Sequence, residues 1–350
     1  MIIQEMFQQT VLRSASDLHI IPGYAPTIRI LNELANLEGS IILTSDQTTE
    51  ILESILSAEN KEELHLNKEL DFAYEFGEIR FRVNYYYTQK GLAGAFRTIP
   101  KKIKTLEELS MPSMLYKLAK APQGLVLFTG PTGEGKSTTI SALINDINLS
   151  QRKHIVTVED PIEFIYPFGK SIISQREMHT NTHSWGKALQ AILREDPDVV
   201  LIGEMRDLDT IQAALTIAET GHLVFSTLHT NSTPEAINRM IDVFPAHQQN
   251  QVRNQLSTVL NAVIYQRLIP NIKLLTRIPA VEILINTPAV SSLIREGKTF
   301  MIDNVLETGE EQNMIIFDKY LARLFKQNLI SREDALSYAV RLKEFEKFML

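Results

Sequence analysis

The chain has 350 residues, 44% of them hydrophobic and 22% charged, enough to bury one large core or two modest ones and too apolar for a disordered chain. Its fifteen glycines and fourteen prolines are scattered rather than periodic, which removes fibrous and low-complexity classes. Without cysteine there is no disulfide framework, thiolate nucleophile or four-cysteine metal site, and a formal charge of -7 gives no general footprint for nucleic acid.

The opening MIIQEMFQQTVLRSASD lacks the basic region, apolar run and small-residue cleavage site of a secretory leader. No apolar stretch approaches the ~18 residues that span a bilayer, so any membrane association is expected to go through a partner or a surface, and with no cysteine the chain is read as cytoplasmic. Ile3, Phe7 and Val11 recur at helical spacing, whereas Asp17 to Ile20 and Thr27 to Leu31 read as strands. Capping residues from Ser45 precede Ile51, Ile55 and Leu56, which predicts a helix. LDFAYEF and IRFRVNYYY then read as strands around a turn at Gly77 and Glu78, and LAGAFRTI as a third. Residues 1–98 thus read as a small α+β domain with an antiparallel sheet.

Residues 99–110, with lysines at 101, 102 and 104, read as a linker, followed by a helix toward Lys120. From 111 to 286 the pattern changes to GLVLFTG, HIVTVED, DVVLIGE and GHLVFSTLH, short apolar runs separated by helix-length segments. That alternation predicts an α/β core, a mostly parallel sheet covered on both faces, of the kind that binds nucleotides. Residues 287–350 read as a helical C-terminal portion, and neither a fixed-period repeat nor a sustained heptad is present.

Gly130, Pro131, Thr132, Gly133, Glu134, Gly135, Lys136 and Ser137 fit G-x-x-x-x-G-K-[ST], after a strand-like run and before a helical one. The glycines let backbone N–H groups converge on phosphates, and the following helix adds its positive end. Lys136 is expected at the β and γ phosphates of ATP, the Ser137 hydroxyl on Mg2+, and Thr138 beside them on the first helical turn. Glu134 puts a carboxylate in a loop meant for anions, so it must point outward or weaken the site.

A phosphate loop alone says nucleotide, not what its energy is used for. Glu159, Asp160 and Glu163 follow one strand-like run and Glu204 ends another, at the sheet edge where a magnesium-bound water and a general base belong. His222 and His229 flank LVFSTL; a zinc pair there would need further histidines or carboxylates to converge, and hydrogen bonding near the γ phosphate suits the position better. His179 and His183 read as loop residues.

With these blocks in place, the sequence resembles the type IV pilus retraction ATPases of twitching motility. These sit within the secretion-ATPase superfamily that also holds the type II secretion and pilus-extension motors. The resemblance rests on GPTGEGKSTT, IVTVEDPIEF, LREDPDVVLIGEMRD and TGHLVFSTLHTNS, with SASDLHI, RFRVNYYY, FRTIP and AVSSLIREGKT adding to it, and so covers nearly the whole chain. It implies a homohexamer of two-domain subunits, a PAS-like N-terminal domain followed by a RecA-like P-loop NTPase core. It further implies Glu163 as catalytic base, Glu204 holding magnesium through water and His229 sensing the γ phosphate. Arg80, Arg82 and Arg97 take the positions of arginines that neutralise phosphate charge, a role suited to a transition state that spreads negative charge. An inner-membrane pilus platform protein of the PilC type is the implied partner, with peripheral membrane association through it and no stable nucleic acid.

Two positions depart from the family pattern. Glu134 stands where serine is usual, and AVSSLIREG stands where the pattern is nearer AIRNLIREG, keeping Leu293, Ile294, Arg295 and Glu296, a block tied in the family to retraction rather than hydrolysis. Extension and type II secretion motors usually add a longer N-terminal region and a four-cysteine zinc module, which this chain does not accommodate. Paralogous pilus or secretion-system assembly ATPases of similar length stay open, as does a nucleotide-regulated assembly protein with little turnover, for which Glu134 is the support.

Overall fold

The computed structural model describes residues 2–30, 33–77, 79–99, 102–273 and 276–349. They fall into two compact units, one running to Lys102 together with Glu163–Ile165, the other comprising Ile103–Ile162 and Tyr166–Leu350.

In the first unit the strands are β1 (Asp17–Ile20), β2 (Thr27–Ile30), β3 (Glu33–Asn36), β4 (Glu69–Phe76), β5 (Ile79–Thr88) and β6 (Gly91–Ile99). They form one sheet in the order β3-β2-β1-β6-β5-β4, with every neighbouring pair antiparallel. Leu31 and Glu78, expected to end a strand and make a turn, lie outside the described residues. Alternation along β5 buries Phe81, Val83 and Tyr85 and turns Arg82 out, as a period of two requires. Phe7, on the helix Ile3–Leu12, stacks on Phe81 at 4.5 Å and meets Phe96 edge-on, so large apolar rings dominate this core. The helix Ser45–Glu53 starts at a reciprocal cap, Gln47 N donating to Thr44 Oγ1 and Thr44 N to Gln47 Oε1. It packs onto β6 at Gly94, where a Cβ would come within 2.8 Å of Leu52 and 2.9 Å of Tyr85.

The second unit holds β7 (Gly124–Thr129), β8 (His154–Glu159), β9 (Ile172–Glu177), β10 (Val199–Ile202), β11 (Leu223–Leu228), β12 (Leu260–Asn271) and β13 (Thr276–Ile285). Their order is β13-β12-β7-β11-β10-β8-β9, parallel from β12 to β9, with β13 antiparallel to β12 at one edge. The central β7, β10 and β11 are buried along their whole length, which is why they read as continuous apolar runs. β9 and the β12–β13 hairpin are strands the sequence pattern did not flag. β9 (IISQRE) is a half-exposed edge, and β12 continues directly from the helix Ala246–Val259 with no glycine or proline between them. Pro279 is tolerated in β13 because that strand lies at the edge of the sheet.

Of the segment read as a linker, Pro100 and Lys101 lie outside the described residues, while Ile103 and Leu106 are buried side chains of the second unit. Thr105 and Glu108 cap each other's backbone N–H there, a local order that the lysine-rich composition concealed. After β13 the chain is helical: Pro288–Arg295, Ile302–Thr308, Phe317–Lys326, Arg332–Tyr338 and Leu342–Met349.

Candidate nucleotide-binding site

The phosphate loop leaves the buried end of β7 and turns into the helix Lys136–Ser150. Gly130, Gly133 and Gly135 have φ of 140°, 79° and 78°, a region open to glycine and strained for other residues. Gly130 also needs its missing side chain, since a Cβ would lie 2.4 Å from the Gln266 carbonyl oxygen on β12. The loop therefore presents backbone N–H groups next to a helix N-terminus, an arrangement that attracts phosphate. Thr129, just before it, hydrogen bonds the Thr230 hydroxyl at 2.7 Å and accepts from Thr230 N at 2.9 Å, tying the loop's root to the end of β11.

Lys136 is 6% exposed, and its Nζ donates to Gly130 O at 2.6 Å and Pro131 O at 2.8 Å. The ammonium thus sits inside the loop, on carbonyls it can exchange for phosphate oxygens. Pro131, Ser137 and Thr138 are partly exposed, and Thr132 and Gly133 are exposed. Glu134 turns away from the loop onto β12: its carboxylate accepts from Leu268 N and pairs with the Arg267 guanidinium at 3.4 Å. The outward orientation expected of Glu134 is the one observed, though it points into a neighbouring strand rather than into solvent.

Parallel pairing brings the ends of β10 and β11 to the same sheet edge as this loop. Glu204 follows β10 by two residues and His229 directly follows β11. His229 Nε2 lies 3.1 Å from Glu204 Oε1, and its Nδ1 lies 3.5 Å from the Thr132 hydroxyl, so a chain of polar contacts runs from phosphate loop to histidine to carboxylate. Arg206 Nη2 donates to Glu204 Oε2 at 2.8 Å. Burial pushes the Glu204 carboxyl up, but the Arg206 hydrogen bond and the neighbouring His229 outweigh it, leaving the group below the usual range. Arg206 was missed as a site residue; its only signal was its place two residues after Glu204.

The remaining candidates are distributed differently. Glu159 is buried and accepts from the Thr157 hydroxyl at 2.7 Å, a contact within β8, whereas Glu163 is partly buried on the following loop and groups with the first unit. His222 stands at the start of β11, the opposite end of the strand from His229, where its Nδ1 contacts Ile217 O at 2.9 Å and the Thr220 hydroxyl at 3.1 Å. Those are helix-end contacts, and His222 is not brought to the cluster. His179 and His183 lie in the turn between β9 and the helix Trp185–Ile192.

In the first unit, Arg82, Arg97, Asp17 and Arg29 stand opposite one another across β5, β6, β1 and β2. Arg97 Nε donates to Asp17 Oδ1 at 3.0 Å while the side chain stays 69% exposed, so one edge of the guanidinium is fixed and the other faces outward. Arg80 is mostly buried and lies 3.9 Å from Glu75. In the helix Pro288–Arg295, capped by Thr287, Leu293 packs against the core, Ile294 is fully buried, and Arg295 and Glu296 are exposed.

A family model described as Type II/IV secretion system protein matches residues 1–319. The chain belongs to this family. Among the relatives of this type II/IV secretion system protein, the Twitching motility protein of Neisseria gonorrhoeae is 44% identical over 95% of this chain and 89% of its own length. The Type IV pilus retractation ATPase PilT of Pseudomonas aeruginosa is 43% identical over 95% and 96% of the two chains. The crystal structure of the pilus retraction motor PilT with bound ADP superposes with a TM-score of 0.93 at 40% identity, covering 99% of each chain. The second unit accordingly has the RecA-like ATPase core of this family, and the first is the domain that precedes it.

Among the described residues no group of three His, Asp or Glu side chains converges to hold a metal ion. Mg2+ fits such a site, because it takes oxygen ligands and keeps much of its shell as water and substrate phosphate. The Ser137 hydroxyl on the first helical turn and the Glu204 carboxylate at the edge of the sheet are oxygen donors of the kind it takes.

Proposed function

We propose that this chain is a magnesium-dependent ATPase that works as a homohexameric ring to power type IV pilus retraction and twitching motility. The observation that carries it is the assembly of Lys136, Thr132, His229 and Glu204, from three separate segments, around one glycine loop at a helix N-terminus. The relatives named for twitching motility and pilus retraction, at 43–44% identity over 95% of the chain, supply the biological direction.

Phosphates sit on the backbone N–H groups of residues 130–137, where Lys136 exchanges its two carbonyls for phosphate oxygens. Ser137 and, through water, Glu204 would hold Mg2+, which would supply positive charge against the phosphates. His229, bridging Thr132 and Glu204, registers whether the outermost phosphate is present. Glu163 accepts the proton of the attacking water, and Arg82 and Arg97, with Arg80, offset the charge that spreads over the transferred group. The exposed Arg295 and Glu296 beside the anchored Leu293 and Ile294 serve retraction downstream of hydrolysis. The motor works at the cytoplasmic face of the inner membrane through a platform protein, without stable nucleic acid. The alternative of an assembly protein with little turnover loses its support, because the Glu134 carboxylate is directed away from the loop.

Phosphate release from ATP with magnesium tests this. Lys136→Ala is expected to lose on the order of a hundredfold in turnover, and Glu163→Ala at least as much with nucleotide binding retained. Turnover equal to the wild type in Glu163→Ala would remove the assigned base.

A further inference from the structure

Glu134 is the residue of the phosphate loop with the wrong charge for its location, and the structure shows what balances it. Three consecutive residues of β12 brace the loop from beneath. Gln266 donates from Nε2 to Glu134 O at 2.7 Å and accepts from the Thr139 hydroxyl at 2.9 Å. Leu268 N donates to the Glu134 carboxylate, and Arg267 Nε lies 3.4 Å from its other oxygen. The pair is largely enclosed, with 14% of the Glu134 side chain and 28% of the Arg267 side chain exposed. Arg267 is itself held: its guanidinium lies 5.0 Å from the Tyr338 ring centre, on the helix Arg332–Tyr338, and its Nη1 reaches the Tyr265 hydroxyl at 3.5 Å.

We propose that Arg267 is a positioning residue for nucleotide binding: by fixing the Glu134 carboxylate on β12, it keeps an uncompensated negative charge out of the phosphate cradle. This rests on the nucleotide-binding reading of the loop. Glu134 lies between Gly133 and Gly135, both with positive φ, so its neighbours offer little resistance if the side chain is released. A freed carboxylate beside a polyphosphate repels it at short range in a poorly screened site. Arg267 therefore acts through Glu134, without touching the phosphates itself.

A double-mutant cycle on the full chain separates these roles, read by equilibrium binding of a fluorescent ADP with thermal melting on the same samples. Arg267→Gln is expected to weaken binding about tenfold or more when Glu134 is present, and less than about twofold in a Glu134→Gln background, where the side-chain oxygen still accepts from Leu268 N but carries no charge. Arg267→Lys, which keeps the charge and loses the planar fork, is expected to recover most of the affinity. An equal loss in both backgrounds would overturn the proposal, since Arg267 would then act on the nucleotide or on the fold as a whole. No loss in either background would overturn it as well. If Arg267→Gln melts early, Arg267→Met takes its place in the same cycle, read below its melting temperature: a loss confined to the charged Glu134 background supports the proposal, and an equal loss in both backgrounds refutes it. Failure of the unsubstituted chain to bind the probe would instead remove the nucleotide-binding reading.

Discussion

Glu204 takes part in two kinds of interaction at once, which makes its charge state measurable. Its carboxyl lies below the usual value of 4.5, because Arg206 and His229 outweigh the cost of burying it. A carboxyl depressed in the fold adds stability that is complete above its unfolded value and lost as pH falls through the folded one. Glu204→Gln should therefore melt below the wild type at neutral pH, with the gap closing as the pH is lowered past about 4.5. A gap that stays constant down to acid pH would show that Glu204 is not held ionised by this cluster. Lys136 and Ser137 were legible as candidate site residues because the chemistry of a phosphate loop is local in sequence. Arg206 was not, because its value to the site depends on Glu204 turning toward it.

At the scale of elements, β13 and the helix Thr233–Asp242 are joined through a carboxyl displaced in the opposite direction. Glu282 accepts from Thr233 N at 3.1 Å and from its hydroxyl at 2.8 Å. Desolvation pushes the Glu282 carboxyl above its usual value; the Thr233 hydrogen bonds and Arg341 only partly offset this, and Asp303 adds to it. For a raised carboxyl the stability is complete below the unfolded value and lost as pH rises through the folded one. Glu282→Gln keeps an oxygen for both Thr233 donors and removes the charge, so it should melt above the wild type at pH 8, with the difference vanishing toward pH 4. Calorimetry across that range checks it, and a lower melting temperature at every pH would contradict the sign. The sequence indicated β7, β8, β10 and β11 because burial on both faces leaves a continuous apolar run. It did not indicate β12, because a helix that passes straight into a strand leaves no punctuation between them.

For the molecule as a whole, the proposed ring makes activity a property of assembly. Phosphate release per subunit should rise with protein concentration and reach a plateau when the mass measured on the same samples reaches six subunits. Activity per subunit that is flat across a dilution in which the mass falls to that of a single chain would contradict a ring-dependent motor. The charged ladder Arg82, Arg97, Asp17 and Arg29 belongs to this scale too. Alternation along IRFRV predicts one solvated face for Arg80 and Arg82, whereas Arg80 is mostly buried and Arg82 exposed, and only the pairing of β5, β6, β1 and β2 put Asp17 beside Arg97, 80 residues away in sequence.

The sequence by itself determined the class of the core, the phosphate loop and the acidic and histidine blocks at strand ends, because strand period, glycine spacing and capping are encoded within a few neighbouring residues. Only the tertiary structure decided which strand ends meet. The order β12-β7-β11-β10-β8 brings His229 and Glu204 to the loop, leaves His222 at the opposite end of its strand, and places Arg267 against Glu134, 133 residues earlier. Such pairings follow from how sheets and helices pack across the chain, and a buried charge in the loop is tolerable only because packing delivers its partner.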